Sequence, residues 1–179
     1  MLLIGGSTRA ASTTTAVLRT ARELARPGAV LYDGLAALPA FDPDDDRDPL
    51  PPAVERLRGA VRDADAVLFC TPEYAGGLPG SFKNLLDWTV GDASPRSMYG
   101  KPVAWINAAS PASPTGARGA HEGLATVLGY VGADVVEAAC ARIPVTRDAV
   151  GPDGLVTDAE RRARIEAAVE ALTRHATSS

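Results

Sequence analysis

The sequence is poor in the residues that build metal and thiol chemistry. It holds two cysteines, Cys70 and Cys140, and two histidines, His121 and His175, among 179 residues. Neither cysteine belongs to a C-x-x-C pair, so neither a dithiol nor a zinc cluster is expected, and both read as small buried residues. Basic residues are not in excess: 18 against 22 acidic ones give a formal charge of −4. That balance argues against a nucleic-acid or anionic-membrane surface, which would carry a basic patch. No apolar run approaches a membrane span, and Met1 to Gly6 has neither the charged nor the apolar region of a secretory signal. The expected location is cytoplasmic, with reduced thiols. Several signatures are also missing. Ile4 is not followed by the G-x-G-x-x-G of a dinucleotide-binding turn, and G-K-S/T and G-x-S-x-G occur nowhere. The aspartates between Asp42 and Pro52 lack the glycine and terminal glutamate of a calcium loop and read as a solvated connection.

What is present is an alternation of short apolar runs and longer amphipathic stretches. Strands are expected near 1–5, 28–33, 65–71, 102–108 and 134–140. Helices are expected near 12–26, 51–63, 80–90 and 118–132, with a last one near 157–175. Such alternation predicts a parallel sheet with helices on both faces. The length suits one domain spanning 1–179, large enough to bury roughly 70% of its unfolded surface. Five strands at this spacing fit the order 2-1-3-4-5, and ligands of such sheets bind where the strand order reverses, outside the carboxyl ends.

Two loops fall at that edge. The first, Gly5 to Thr14, follows the opening strand. Ser7, Thr8, Ser12, Thr13 and Thr14 supply hydroxyls and Arg9 a charged fork, while the helix beginning near Ser12 points unpaired N–H groups at the loop. This is an anion site suited to a phosphate. A plain capped helix would need one hydroxyl and no arginine. The second loop, Thr71 to Pro79, leaves the buried run Ala64–Cys70. Pro72 and Pro79 stiffen it, and Gly76 and Gly77 expose main chain that can lie against a flat ligand. A third stretch, Asn107 to Gly119, is small and polar, with Ser110 as its candidate residue. Arg118 is a candidate for a phosphate of a nicotinamide cofactor, or else a surface arginine. His121 reads as a solvent-facing or capping residue.

The first loop, with Gly6, Ser7, Arg9 and Ser12, and the second, with Thr71, Pro72, Glu73 and Tyr74 followed by Leu78 to Trp88, resemble the NAD(P)H-dependent FMN reductase family. That family is a flavodoxin-like group that includes chromate and quinone reductases. The likeness extends over Leu38 to Asp44 and Ser113 to His121. It implies a flavodoxin-like three-layer α/β/α sandwich with a five-stranded parallel sheet. It also implies bound FMN: Ser7, Arg9, Ser12, Thr13 and Thr14 on the phosphate, and Pro72, Glu73, Tyr74, Ala75, Gly76 and Gly77 along the ring, with Ser110 opposite. The chain departs from the family pattern after Tyr74. An asparagine is usual there, and this chain has Ala75, Gly76 and Gly77.

The resemblance further implies NADPH or NADH as hydride donor, a small acceptor such as a quinone, free flavin or chromate, and a ping-pong sequence on one flavin. It implies a homodimer or homotetramer, and no catalytic side chain beyond the cofactor. Glu73 is expected to orient its loop or pair with Lys83. The glycines at 119, 123, 129 and 132 are costly in a helix unless something packs close, a hint of a subunit contact. The competing reading is a flavodoxin-type FMN electron carrier, although such carriers screen the ring with aromatics and this chain is only 5% aromatic.

Overall fold

A computed structural model describes residues 1–25, 28–108 and 113–178. Six strands, β1 (Leu2–Gly5), β2 (Val30–Tyr32), β3 (Val67–Thr71), β4 (Pro102–Asn107), β5 (Asp134–Val135) and β6 (Ala141–Arg142), form one sheet. Its order is β2-β1-β3-β4-β5, with β6 also on β4, and every pairing is parallel. The helices are α1 (Thr13–Leu24), α2 (Pro52–Asp63), α3 (Gly80–Val90), α4 (Arg118–Tyr130) and α5 (Ala159–Ser178). The strand order and layers are those read from the sequence.

Successive residues of each strand feed opposite faces. Leu3, Leu68 and Ile106 pack with Val17 of α1 and Ile165, Val169 and Leu172 of α5. Their neighbours Ile4, Phe69 and Trp105 pack with Leu57 of α2, Phe82 and Leu85 of α3, and Leu124 of α4. All five residues of β3 are buried, which accounts for its unbroken apolar run.

The expected fifth strand at 134–140 is two pieces. Glu137-Ala138-Ala139 favours a helical turn over an extended chain, and a turn forms over Glu137–Ala139 between β5 and β6. The chain then returns to β4, where Ile143 donates to the Asn107 carbonyl at 2.9 Å. This carries the sheet's edge three residues further and brings 143–147 to the ligand-binding side.

The acidic connection before α2 is largely exposed, as its composition suggests, and is tied to the body at Asp46. Asp46 pairs with the buried Arg58 at 2.6 Å, and Arg58 donates through Nε to the Trp88 carbonyl at 2.9 Å. The segment before it is held by α3: Asn84 accepts from Phe41 at 2.7 Å and donates to Pro39 at 2.8 Å, and Trp88 donates to the same Pro39 carbonyl at 3.0 Å. Cys70 is fully buried and Cys140 half-buried, and burial pushes the Cys140 thiol up to about 11. Among the described residues no helix is long and apolar enough to cross a membrane.

Candidate functional site

Parallel pairing puts the ends of β1 and β3 side by side, with Gly5 opposite Cys70. Gly6 follows, donating to the Cys70 carbonyl at 2.8 Å. A Cβ there would lie 2.6 Å from Thr71 Oγ1 and 2.9 Å from the Phe82 ring, so only glycine lets the first loop pass this close to β3 and α3. The loop turns into α1 with Ser12 as N-cap. Ser12 Oγ accepts the Thr15 N–H at 3.0 Å, as the sequence predicts for a cap. Ser7 Oγ accepts the Arg9 N–H at 3.3 Å, and the Arg9 guanidinium, exposed, rests 3.4 Å from the Ala11 carbonyl.

A cleft of about 290 Å³ joins this loop to the second one. Ser7, Arg9, Ser12, Thr13 and Thr14 line one wall, Pro72 and Tyr74 the other. Seven of the expected residues, more than sixty positions apart in the chain at their extremes, are thus brought together. One polar atom in the cleft is anomalous. Thr14 is 1% exposed, and its hydroxyl has no hydrogen-bond partner among the described residues. A buried unpaired hydroxyl costs about 1–3 kcal/mol. It sits in the first turn of a helix with no acidic residue in that turn, where the unpaired N–H groups favour an anion. An oxygen-rich anion would satisfy the Thr14 hydroxyl and these amides at once. The donor set therefore fits the phosphate of a mononucleotide.

The second loop is arranged differently from the expectation. Tyr74 and Gly77 exchange two backbone hydrogen bonds, each 3.0 Å, around Ala75 at φ 50° and Gly76 at φ 78°. Two positive φ values define a type I′ turn. The Gly77 amide is therefore committed inside the turn and does not face a ligand; the Ala75 and Gly76 amides have no internal acceptor among the described residues. Tyr74 is 58% exposed, leaving this wall open. Asparagine, usual after the tyrosine in the family pattern, suits φ > 0 better than alanine.

Glu73 turns away from the cleft and does not pair with Lys83, whose ammonium meets Asp87 one helical turn on, at 2.5 Å. Its carboxylate instead accepts the Ala120 N–H at 3.0 Å, the Ser113 hydroxyl at 3.4 Å and the Thr115 hydroxyl. It caps α4, whose own N-cap, Ala117, has no side chain to do so. Desolvation pushes the Glu73 carboxyl up, but hydrogen bonds from Thr115, Ala120, Gly119 and Ser113 outweigh it and hold the group below the ordinary glutamate range. Two of the glycines of α4 are explained by the same loop. A Cβ on Gly119 would overlap the Gly76 carbonyl, and one on Gly123 would lie 3.3 Å from Leu78. These two bare positions accept the tyrosine loop of the same chain.

His121 is half-buried and is held by a ring partner. Its Nδ1 accepts the Trp105 indole N–H at 2.9 Å, and burial, with the Arg142 charge adding, lowers its pKa. Arg118 is exposed and 3.9 Å from Glu122. Ser110 lies outside the described residues. Among the described residues no cluster of three His, Cys, Asp or Glu is placed to hold a metal ion.

Sequence reasoning missed Val145, Thr146 and Arg147, which complete the cleft. The signal was a polar pair after an apolar run, at the carboxyl end of a parallel strand. It is hidden because the apolar run predicts a strand ending at 140, before the turn and β6.

The sheet order, the double layer of helices and a cleft at the switch point define a flavodoxin-like α/β protein. Residues 1–145 match the NADPH-dependent FMN reductase family, and the chain belongs to it. It is 38% identical over 112 residues to an NAD(P)H-dependent FMN reductase of Pseudomonas aeruginosa, covering 62% of this chain and 60% of that one. It is 35% identical over 102 residues to a quinone reductase of Escherichia coli K12, covering 55% of this chain and 53% of that one. The matched segment thus spans between half and three-fifths of these curated relatives. The flavoenzyme NAD(P)H:(acceptor) oxidoreductase FerB of Paracoccus denitrificans superposes with a TM-score of 0.81 and 29% identity, covering 97% of each chain.

Proposed function

We propose that this protein holds FMN and uses it to carry reducing equivalents from NADPH or NADH to a small acceptor, such as a quinone, free flavin or chromate, in two successive half-reactions. The observation that carries the reading is the Thr14 hydroxyl, buried and unpaired at the head of α1 in the cleft that joins the two loops. Family membership and the activities named for the relatives support it.

In this reading Ser7, Arg9, Ser12, Thr13 and Thr14 bind the phosphate, Arg9 by charge and the α1 amides by their dipoles. Pro72 and Tyr74, with the Ala75 and Gly76 amides, set the position of the ring edge. Bound flavin supplies the chemistry of accepting and releasing a hydride equivalent. The protein contributes placement and an open face, because the type I′ turn keeps its tip small and Tyr74 makes no aromatic ring contact among the described residues. No side chain is assigned a proton transfer. Glu73, engaged with α4, holds its loop in place.

The test is steady-state oxidation of NADPH and of NADH by the FMN-loaded protein with a quinone added. Sustained turnover, with parallel lines in double-reciprocal plots as the quinone concentration is varied, supports the reading. Oxidation that stops after one flavin equivalent contradicts it and favours the electron carrier.

A further inference from the structure

We propose that Arg147 is the second cationic arm of the phosphate site, joining Arg9 on the phosphate. The inference rests on the reading of the cleft as an FMN site, and concerns a residue beyond the family-matched segment, which ends at 145.

Arg147 lines the cleft together with Arg9, Ser12 and Thr14. It also lines an adjoining hollow of about 310 Å³ beside the α1 N-terminus, so it borders both. Its backbone is fixed. It opens the helical turn Arg147–Ala149, in which Ala149 donates to the Thr146 carbonyl and Val150 to the Arg147 carbonyl, each at 3.2 Å. Val145 and Ala149, buried on either side, anchor that turn in the core. The guanidinium itself is exposed and has no side-chain partner among the described residues. Asp148, the adjacent acid, is engaged by Thr146. An arginine fixed at its root, free at its head and lining the same cleft as a helix N-terminus is built to meet an anion.

The charges in the cleft also favour a second cation. A phosphate monoester carries about −1.5 to −2 at neutral pH. The head of α1 offers roughly +0.5 and Arg9 one full charge, which together fall short of neutralising a dianion. The chain as a whole, at −4, adds no general attraction. Arg147 more than covers the remaining half charge or so.

The experiment compares FMN with riboflavin, which lacks the phosphate, by quenching of flavin fluorescence in the wild-type chain, Arg147→Ala and Arg147→Lys. The expected result is an FMN dissociation constant raised about tenfold in Arg147→Ala, in line with loss of one charge-assisted contact. Riboflavin binding should stay within about twofold, and Arg147→Lys should recover part of the loss. Unchanged FMN affinity in Arg147→Ala overturns the role of Arg147 while leaving the FMN reading intact. So does an equal loss for both flavins, or a raised KM for NADPH with FMN binding unaltered. A wild-type chain that binds no FMN overturns both.

Discussion

The carboxylate of Glu73 accepts the main-chain N–H of Ala120 at 3.0 Å, across 47 positions of the chain. One side chain thereby ties the loop after β3 to the head of α4. The loop that forms a wall of the cleft has its shape set from behind, by a helix that does not itself line the cleft.

Removing this tie should loosen the loop and the helix together. Glu73→Ala is expected to destabilise the protein by about 1–2 kcal/mol, the range for loss of a helix cap, read as a shift in urea midpoint. The pH dependence follows from the lowered carboxyl pKa. The stabilisation is fully present above the unfolded glutamate value of about 4.3 and is lost as pH falls through the lower folded value. The difference between wild type and Glu73→Gln should therefore be constant from pH 6 to 8 and shrink as pH falls below about 4.

Two glycines of α4 should respond in opposite directions to the same change. Gly119→Ala forces a methyl group into the Gly76 carbonyl, a backbone atom that cannot rotate away, and should cost about 1–3 kcal/mol with weakened FMN binding. Gly129→Ala meets nothing within 4 Å and should stabilise by up to about 1 kcal/mol. Thermal unfolding of the two variants checks both signs.

Ala75 holds φ 50° without the tolerance of asparagine or glycine. Ala75→Gly is expected to raise stability by about 1 kcal/mol, a Tm increase of about 2–4 °C for a domain of this size. A lowered Tm would show that the turn is unstrained.

Thr14→Val separates folding from binding. It replaces an unpaired buried hydroxyl by a methyl group of similar shape, so the ligand-free protein should be as stable as wild type or up to about 1 kcal/mol more so. FMN affinity should nevertheless fall about tenfold. Denaturation without flavin and a flavin titration give the two halves of this result.

The sequence made the sheet order and both loops legible because each rests on local signals: unbroken apolar runs such as Val67–Thr71, hydroxyls before α1, and glycines where backbones must approach. Gly6, Ser12 and Pro79 behave as their residue types predict. What could not be read depends on contacts between distant segments. Nothing near Glu73 says that its partner is Ala120 rather than Lys83, and Gly119 and Gly123 read as a helix weakness until the loop that packs on them is in view. The turn at Glu137–Ala139 splits an edge strand by a local preference too small to read within an apolar run. That small break carries Arg147 to the cleft.

The most direct measurement is a titration of the flavin-free protein and of Arg9→Ala with FMN and with riboflavin. If the first loop holds a phosphate and the second a ring, wild type binds FMN at least about tenfold more tightly than riboflavin, and Arg9→Ala loses most of that difference while still binding riboflavin. Equal affinity of wild type for the two flavins, or no uptake of either, would contradict the account.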